Sequence, residues 1–586
     1  MSIFDSIPKP KVPRSRKKMP HYNLFSTDYG RLVPFFFMDC VPKDKVKLRS
    51  EVFVNTAPMI TAPYIENDLR CDYFFVPYRL LWRQWEDFIT GGVDGMSTPD
   101  LPVLSSNLLA NATEDIGLTS AGSLWDYFGL PVNEVVGYLN GFVDDTKVLA
   151  FPFLAYLKIW QEYYRDQNWQ TDIADALDLL SQQNGDISSD LLDLFNSLGS
   201  FESKLLLSRG WRKDYFTSAL PTPQRGPEVP INFDSNVQIP VEFKSDLATL
   251  MTSLDGQTDV SGGIFVGTGS GTYIRINANG EIKSVDQTEV SGGGLHVMDV
   301  ADIHTISAPL GRWISNMLTG HPGEFYVNGQ DLPAITINDL RRANAIQVFL
   351  ERNMRAGSRY VEQILSHFGV RVPDYRLQRP EYIGGFSQPI VVNQIMQQSQ
   401  TTLGEGGSAL GSYAGKGRSA SPGKKLSYKV EEHGCIIGLM SVMPKAVYSG
   451  GIPRYFSRQS KFDFYFPEFA NLGEQEVKSN ELFLTDNPTS FGYVPRYAEY
   501  QWIPNQVHAD FLKSGMRQFT QYRQFTPGTP PSNGDEFLAV HPDSDGINRI
   551  WAVEDDQDFD HFWVTVFNHV NAKRPMPRWG VPKLKA

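Results

Sequence analysis

Strand patterns lie at both ends of this 586-residue chain, and a different texture fills its middle. Near the start, KVKLRSEVFV (45–54) alternates, with Val46, Leu48, Val52 and Val54 on one side and charged residues on the other. A period of two predicts a half-buried strand. HFWVTVFNHV, near the end, has the β-branched and aromatic residues typical of strands. Both ends are therefore predicted to contribute to one β-sandwich, with the middle inserted between its strands.

The composition favours strands joined by long loops over a helical bundle. Aromatic residues make up 12% of the chain, which also has 49 Gly and 38 Pro, and such residues favour strands and turns. With 41% hydrophobic and 20% charged residues, the chain can bury a large core. The length fits either roughly three or four ordinary domains or one domain with large insertions.

Helical and glycine-rich segments are predicted for the middle of the chain. FLAYLKIWQEYYRDQNW places Leu154, Leu157 and Trp160 on one helical face, and an acidic amphipathic segment follows it. PYRLLWRQWEDFITGG (77–92) is predicted to be a helix that starts at its proline. Between YIRIN and EIKSV, the pair Asn279-Gly280 is typical of a two-residue hairpin turn.

Strands are predicted again towards the end of the chain. They include GCIIGLMSVMP (434–444), SKFDFYFPEF (460–469) and YAEYQWIP (497–504). Residues 404–424 are rich in glycine, serine and alanine, which is typical of a low-complexity loop. The predicted sandwich thus draws strands from both sides of the helical middle.

The net charge of −12 excludes a uniformly basic nucleic-acid binder, so any such contact needs a local basic patch. Two clusters qualify, and in the second the cations alternate with a tryptophan, which suits single-stranded nucleic acid. The predicted contacts are Lys9, Lys11, Arg14, Arg16, Lys17 and Lys18 near the start, and Lys573, Arg574, Arg578, Trp579, Lys583 and Lys585 at the end. A solubilising tail or a docking peptide is the alternative for each cluster.

The segment SHFGVRVPDYRLQRPEYIGGF (366–386) follows an amphipathic helix that Gly369 is predicted to end. Its prolines predict an extended, stiff chain, and Asp374 and Glu381 can pair with its arginines. We therefore predict a strap that fixes the helix to the next strand and contacts a neighbouring subunit, with DNA contact as the alternative. The interface candidates are Arg371, Tyr375, Arg376, Arg379 and Tyr382.

Motifs for catalysis or cofactor binding are absent from the sequence. It has no GxSxG elbow, no HExxH and no phosphate-binding loop, so no enzyme and no cofactor are predicted. The aspartates before the last strand could hold Ca²⁺ or Mg²⁺, although a charged turn is the simpler interpretation, and a structural divalent cation stays open. These weak metal candidates are Asp555, Asp556, Asp558 and Asp560.

The three cysteines are odd in number and far apart, so buried reduced thiols are predicted rather than a disulfide framework. No apolar run of about 18 residues occurs, and membrane insertion is not predicted. The start has no apolar core after its charges, which is unlike a signal peptide.

Several long segments resemble one protein family and occur in that family's order. They include SLWDYFGLP, RKDYFTSALPTPQRG, INDLRRANAIQVFLERNMRAGSRYVEQILSHFGVRVPDYRLQRPEYIGG, EEHGCIIGLMSV and FANLGEQEV. The chain resembles the major capsid proteins of Microviridae, small single-stranded DNA bacteriophages, and most of all the gokushovirus-like branch. The resemblance runs from about residue 20 to the end.

The resemblance implies an eight-stranded antiparallel jelly roll with long helical and loop insertions. It also implies a T=1 icosahedral shell of identical subunits around a circular single-stranded DNA genome, assembled in the cytoplasm of a bacterial host. Implied partners are phage scaffolding proteins, DNA-pilot or minor virion proteins and a host surface receptor. In this branch a variable insertion forms a surface protrusion, for which residues 231–305 are the candidate by position.

The chain is accordingly divided into six parts. They are a basic, disordered or extended arm (1–20), the first part of the jelly roll (21–90), largely helical inserted loops (91–230), the glycine-rich insertion (231–305), a helical insertion with the strap (306–380), and the remaining jelly roll with a basic tail (381–586). Two alternatives remain for a β-sandwich of this composition: a glycoside hydrolase and a carbohydrate-binding attachment protein.

Overall fold

The computed structural model describes most of the chain outside its central insertion. The described residues are 13–64, 66–105, 119–132, 147–198, 205–227, 241–243, 264–267, 272–276, 282–286, 298–299, 325–327, 337–357, 359–396, 413–485, 488–525, 535–541, 545–552 and 560–578. By contacts within the chain they form two compact units. One comprises residues 1–226 and 349–586, and the other comprises residues 227–348.

The described residues contain twenty strands. In chain order they are β1 Ser15–Lys18, β2 His21–Thr27, β3 Val33–Cys40, β4 Lys45–Thr56, β5 Asn67–Pro77, β6 Val103–Ser105, β7 Lys147–Leu149, β8 Val241–Phe243, β9 Ile264–Gly267, β10 Thr272–Ile276, β11 Ile282–Asp286, β12 Met298–Asp299, β13 Phe325–Val327, β14 Glu381–Met396, β15 Tyr413–Ser421, β16 Leu426–Lys429, β17 Gly434–Pro444, β18 Glu474–Lys478, β19 Ser490–Pro495 and β20 Phe562–Arg574.

Helices are fewer and mostly short. The α-helices are α1 Trp85–Thr90, α2 Leu124–Tyr127, α3 Phe151–Ile159, α4 Ala174–Gln182, α5 Ser188–Ser197, α6 Ile337–Ala356, α7 Tyr360–Phe368, α8 Asp535–Leu538 and α9 Asp545–Asn548. A π-helical segment, Trp160–Tyr164, continues α3. Short 3₁₀ turns occupy Tyr78–Leu80, Asp374–Leu377, Arg454–Phe456, Lys461–Asp463, Pro467–Phe469, Ser479–Glu481, Ala498–Tyr500, Ala509–Leu512 and Arg517–Phe519.

The main sheet has the strand order β1-β20-β4-β15-β14-β5-β17-β3, with β2 also on β20 and β16 also on β4. Eight of its strands pair in a nested, antiparallel way: β2 with β20, β3 with β17, β4 with β15, and β5 with β14. Nested pairing is what results when one long hairpin rolls up, which is the jelly-roll arrangement. The described sheet has ten strands rather than the predicted eight, because the short β1 and β16 are added.

The two halves of this sheet differ in what covers their outer faces. On β5, Tyr73 and Phe75 belong to the core inside the curl, whereas Phe74 and Val76 pack against the helical insertion. Strands covered on both faces become continuously apolar, and all eleven residues of β17 are buried. In the half formed by β20 and β4, buried residues alternate with partly or fully exposed ones, so within the described residues one face of that half is open.

The helical insertion packs against the covered half of the sheet. Phe153, Ala155 and Leu157 of α3 are buried together with their neighbours around the whole helix, rather than along the single predicted face. The helices α4 and α5 each bury one apolar side in the same core, as an amphipathic pattern predicts. Among the described residues, this layer does not cover the outer face of β20 and β4.

Several predicted elements differ from the structure. Residues 413–421, predicted as part of a loop, form β15 in the main sheet. The predicted strands at 460–469 and 497–504 are wrong, since short 3₁₀ turns lie there. The helix predicted from residue 77 begins only at Trp85, after a separate 3₁₀ turn, although it does end at Gly91 in a left-handed conformation.

The predicted hairpin in the glycine-rich insertion has a different register. A two-residue turn at Asn279-Gly280 would place Ile276 opposite Lys283, but Ile276 pairs with Ile282 across β10 and β11. The odd number of residues between them excludes a two-residue turn. The turn residues themselves lie outside the described residues, as does most of the insertion predicted at 231–305.

Candidate nucleic-acid interface

The two basic clusters at opposite ends of the sequence lie side by side in the fold. β1 pairs antiparallel with the end of β20, which places Arg16 opposite Lys573. The hydroxyl of Ser15 donates to the carbonyl oxygen of Met576 at 2.8 Å, and this bond extends the contact beyond the paired strands. The segment from Ser15 is therefore a strand, and it brings the cations of the start next to those of the end.

A row of four cations crosses four neighbouring strands at this corner of the sheet. Lys573 lies between Arg16 and Lys45, and Lys45 lies opposite Lys429 on β16. Two more lysines lie two residues further along β1 and β4, on the same exposed face. We call these six exposed residues the cationic block: Arg16, Lys18, Lys45, Lys47, Lys429 and Lys573.

The cationic block carries unbalanced charge on a rigid support. Beneath it, Val46 and Ala572 are buried in the core and fix the strands. Lys429 pairs with Glu431 at 2.6 Å, whereas within the described residues the other five form no ion pair. Like charges directly opposite each other destabilise a sheet. A partner with closely spaced negative charges would relieve this repulsion, and phosphate groups along a nucleic acid have that spacing.

The other predicted cations have different surroundings. Arg14 donates to the carbonyl oxygen of Lys43. Arg574 points to the inner side of β20, where its Nε lies 3.3 Å from the carboxylate of the buried Asp44, and only 15% of its side chain is exposed. Lys17 donates to the carbonyl oxygen of Arg578, which is itself exposed, at 3.2 Å. Lys9, Lys11, Trp579, Lys583 and Lys585 lie outside the described residues.

Sequence reasoning missed half of the cationic block. Lys45, Lys47 and Lys429 lie outside the two basic clusters, the first two on β4 within the sheet and the third on β16, which pairs with β4. A signal for the first two was present, because the alternation in 45–54 already turns their side chains away from the core. The residues that lie opposite these lysines on adjacent strands, however, depend on the strand order of the sheet, which no local sequence pattern predicts.

The strap holds its own subunit together at one end and is exposed at the other. The Arg379 guanidinium pairs with Asp374 at 3.3 Å and lies 4.3 Å from the ring centre of Tyr163. The hydroxyl of Tyr382 donates to Asp72 at 3.1 Å. At the other end, the exposed candidates are Arg371, Tyr375 and Arg376.

Two details of the strap differ from the prediction. Residues Asp374–Leu377 form a 3₁₀ turn, and Gln378 after it is left-handed, so the chain is not extended throughout. Glu381 accepts a hydrogen bond from Tyr428 instead of pairing with an arginine, and burial raises the pKa of its carboxyl group. The Asp374 pairing agrees with the prediction, and so does the left-handed Gly369 at the end of α7.

The predicted metal candidates are only partly described. Asp560 accepts hydrogen bonds from Arg31 at 2.8 Å and from the Ser26 hydroxyl at 2.6 Å, so both its oxygens have partners. Asp555, Asp556 and Asp558 lie outside the described residues. Within the described part of the chain, no group of three or more metal-binding side chains lies together.

A second surface, part of which (460–469) is predicted from the sequence as a strand, carries many exposed aromatic rings. We call it the loop patch, and its members are Tyr455, Phe456, Phe462, Phe464, Tyr465 and Phe466. Phe456 is 73% exposed and Phe462 is 53% exposed. The segment is held by Arg458, whose guanidinium lies 4.6 Å from the ring centre of Tyr500. Exposed apolar groups at this density mark interaction surfaces.

The three cysteines, Cys40, Cys71 and Cys435, are buried and free of disulfides, and burial raises the pKa of each thiol. High thiol pKa values disfavour the reactive thiolate, so these residues have packing roles. No helix among the described residues has both the length and the apolarity that crossing a membrane requires.

Nested jelly-roll pairing, an open cationic face and a cluster of exposed aromatic rings fit a structural protein of the type that builds viral shells. Comparison with known proteins identifies the family. The chain belongs to the capsid protein (F protein) family, whose model matches residues 5–584.

Curated relatives agree over nearly the whole length. The capsid protein VP1 of Chlamydia phage 1 is 32% identical over 620 aligned positions, covering 99% of this chain and 97% of the relative. The capsid protein VP1 of Bdellovibrio phage phiMH2K is 27% identical, and the alignment covers 99% of this chain and 97% of the relative. The capsid protein VP1 of Spiroplasma virus 4 is also 27% identical, and the alignment covers 98% of this chain and 96% of the relative. The predicted resemblance to Microviridae capsid proteins is confirmed. The chain is a major capsid protein and a virion component, not an enzyme.

Proposed function

We propose that this capsid protein builds a T=1 shell of identical copies around a circular single-stranded DNA genome, with the cationic block turned towards that genome. The row of four opposed cations carries the proposal, because it places positive charge on the half of the sheet that no helical layer covers within the described residues. The glycoside hydrolase and the carbohydrate-binding protein are not favoured, since the relatives are capsid proteins along their full length.

The charge of the whole chain limits what the block can do alone. With a net charge of −12 per copy, the shell cannot neutralise its genome, and a local block can only position the DNA. The remaining charge then comes from other virion proteins or from cations, among them a structural divalent cation. We place shell assembly in the bacterial cytoplasm, with phage scaffolding proteins and DNA-pilot or minor virion proteins as partners, and host receptor binding in residues 231–305.

The genome contact is tested by removing charge from the block. In the triple variant Arg16→Gln, Lys45→Gln and Lys573→Gln, the residues are exposed and the core beneath them is unchanged. Particles made with this variant, in cells that also express the other phage proteins, should form shells with less DNA per particle. The ratio of absorbance at 260 and 280 nm and the sedimentation rate measure the DNA content.

The matched control removes the same charge elsewhere, with Lys147→Gln, Arg352→Gln and Lys513→Gln at exposed sites away from the cationic block. It should package as much DNA as the unmodified protein. Equal DNA content in both variants would contradict the role of the block. If the control lost as much DNA as the block variant, net charge rather than position would decide packaging.

A further inference from the structure

Exposed aromatic and apolar residues continue the cationic block along the same face of the sheet. On the neighbouring strands, Tyr22 lies opposite Phe567, and Leu24 lies opposite Thr565. Side chains alternate along β20, so Trp563 and Phe567 leave the strand on the same face as Lys573. We call this region the aromatic strip: the exposed Tyr22, Leu24 and Trp563 and the half-buried Phe53 and Phe567.

The strip is unusually open for a sheet surface. Tyr22 is 72% exposed, Leu24 is 75% exposed and Trp563 is 48% exposed. The residues between them on β20, Val564 and Val566, are fully buried. The aromatic side chains therefore do not complete the core, and their exposure needs a partner to explain it.

The block and the strip form one continuous surface. From Trp563 to Lys573 the strand runs ten residues, about 34 Å at the usual rise of a strand. Arg418 adds a cation at the aromatic end, with its guanidinium 5.1 Å from the ring centre of Phe53. The acidic Glu51 lies between the two regions, where its carboxylate pairs with Arg49 at 3.0 Å. Its charge is thus matched within the sheet.

We propose that nucleobases stack on the aromatic strip while the cationic block holds the adjoining phosphates, so this face binds single-stranded DNA in preference to duplex. One ligand, a polyanion that carries flat aromatic rings, satisfies both features. Proteins that bind single strands without sequence preference combine a basic groove with exposed aromatic side chains in this way. In a duplex the bases are already stacked on each other, so they cannot stack on the aromatic strip, and the duplex can contact only the cationic block through its phosphates. The inference rests on the proposed genome contact.

The test compares two ligands on the purified full-length protein. One is a labelled 20-nucleotide single strand of mixed sequence, and the other is an abasic strand of equal length with the same phosphates. The unmodified protein should bind the first at least about tenfold more tightly, since bases contribute by stacking. Tyr22→Leu with Trp563→Leu keeps the apolar contacts and removes the rings. It should lower affinity for the base-containing strand about tenfold and leave affinity for the abasic strand unchanged.

Two variants separate the inference from the proposed function. The block variant Arg16→Gln, Lys45→Gln and Lys573→Gln should weaken both ligands and make the slope of log affinity against log salt shallower by about 2. If it binds both ligands as the unmodified protein does, the proposed genome contact fails. Tyr360→Leu with Phe368→Leu, exposed on α7, is the aromatic control and should bind both ligands normally.

Two results would overturn the stacking inference alone. One is equal affinity of the unmodified protein for the abasic and base-containing strands. The other is unchanged DNA binding by Tyr22→Leu with Trp563→Leu. If association of subunits in sedimentation is then impaired, the strip belongs to a contact between copies of the chain. An unchanged melting temperature of Tyr22→Leu with Trp563→Leu shows that this variant keeps its fold. If the melting temperature falls, the same binding test is made with Tyr22→Met and Trp563→Met.

Discussion

Lys573 and Arg574 are neighbours on β20, but their side chains leave the strand on opposite faces and have different roles. Lys573 is exposed in the cationic block, whereas Arg574 pairs with Asp44, whose side chain is fully buried. Burial raises the pKa of the Asp44 carboxyl group, and the N–H of Val41 and the guanidinium of Arg574 oppose that rise. A cluster of cations in the sequence thus mixes residues that support the fold with residues that can bind a partner.

We predict that Arg574→Met destabilises the fold by about 3 kcal/mol at pH 8, because a buried carboxylate is left without its cation. Without the guanidinium, the pKa of Asp44 rises further above its value in the unfolded chain. A raised pKa favours the protonated form in the folded state, so the destabilisation should shrink as the pH falls towards 5. Urea unfolding of the unassembled protein at pH 8 and pH 5 measures the loss in free energy of unfolding caused by Arg574→Met.

Lys573→Met is the matched control for that experiment, since it removes a cation from the exposed face of the same strand. It should unfold like the unmodified protein at both pH values while weakening DNA binding. A loss of stability in Arg574→Met that stays constant from pH 8 to pH 5 would show that the guanidinium contributes through packing and not through Asp44.

Strand β15 shows how an element can form from residues that disfavour it. A side chain at Gly415 would place its Cβ 2.4 Å from the backbone oxygen of Thr61, and one at Gly417 would lie 2.4 Å from the methyl group of Thr56. Glycine weakens a strand but allows another backbone to approach closely. The same glycines that make the sequence typical of a loop are therefore what lets this strand pack.

We predict that Gly415→Ala destabilises the protein by about 1–3 kcal/mol, the usual range when a tightly packed site must shift to make room. The obstructing atom belongs to the backbone, so a change of rotamer cannot relieve the clash. Gly515→Ala is the control, because nothing lies within 4 Å of the added methyl group there. Thermal unfolding should separate the two, and equal melting temperatures would mean that β15 does not approach Thr61 this closely.

The sequence predicts elements well where burial leaves a local pattern. Strands β4 and β5 alternate, and β17 is a continuous apolar run, so their positions follow from residue order alone. The aromatic residues at 460–469 also resemble a strand, yet their rings are exposed in a loop. The cationic block combines residues from β1, β4, β16 and β20, and its assembly depends on long-range pairing that no window of sequence contains.

At the scale of the whole molecule, the loop patch and the cationic block differ in chemistry and suit different partners. The block has six cations on an open sheet, which suits a polyanion. The loop patch has aromatic rings around Arg458, and aromatic and arginine residues are enriched at the energetic centres of protein interfaces. Since a shell subunit must contact copies of itself, we predict that the loop patch takes part in contacts between subunits.

We predict that Phe456→Ser with Phe462→Ser impairs shell assembly and leaves the subunit folded. Both rings are more than half exposed, so the isolated fold loses little packing, while the interface would lose two large apolar contacts. The concentration needed for assembly should rise at least about tenfold, which corresponds to ~1.4 kcal/mol of assembly free energy per subunit. Sedimentation of particles formed together with the other phage proteins measures this concentration.

As a control, Val93→Ser with Met96→Ser alters two exposed apolar residues outside the patch and should assemble normally. Normal assembly of the first variant would assign the exposed rings to a partner other than the shell.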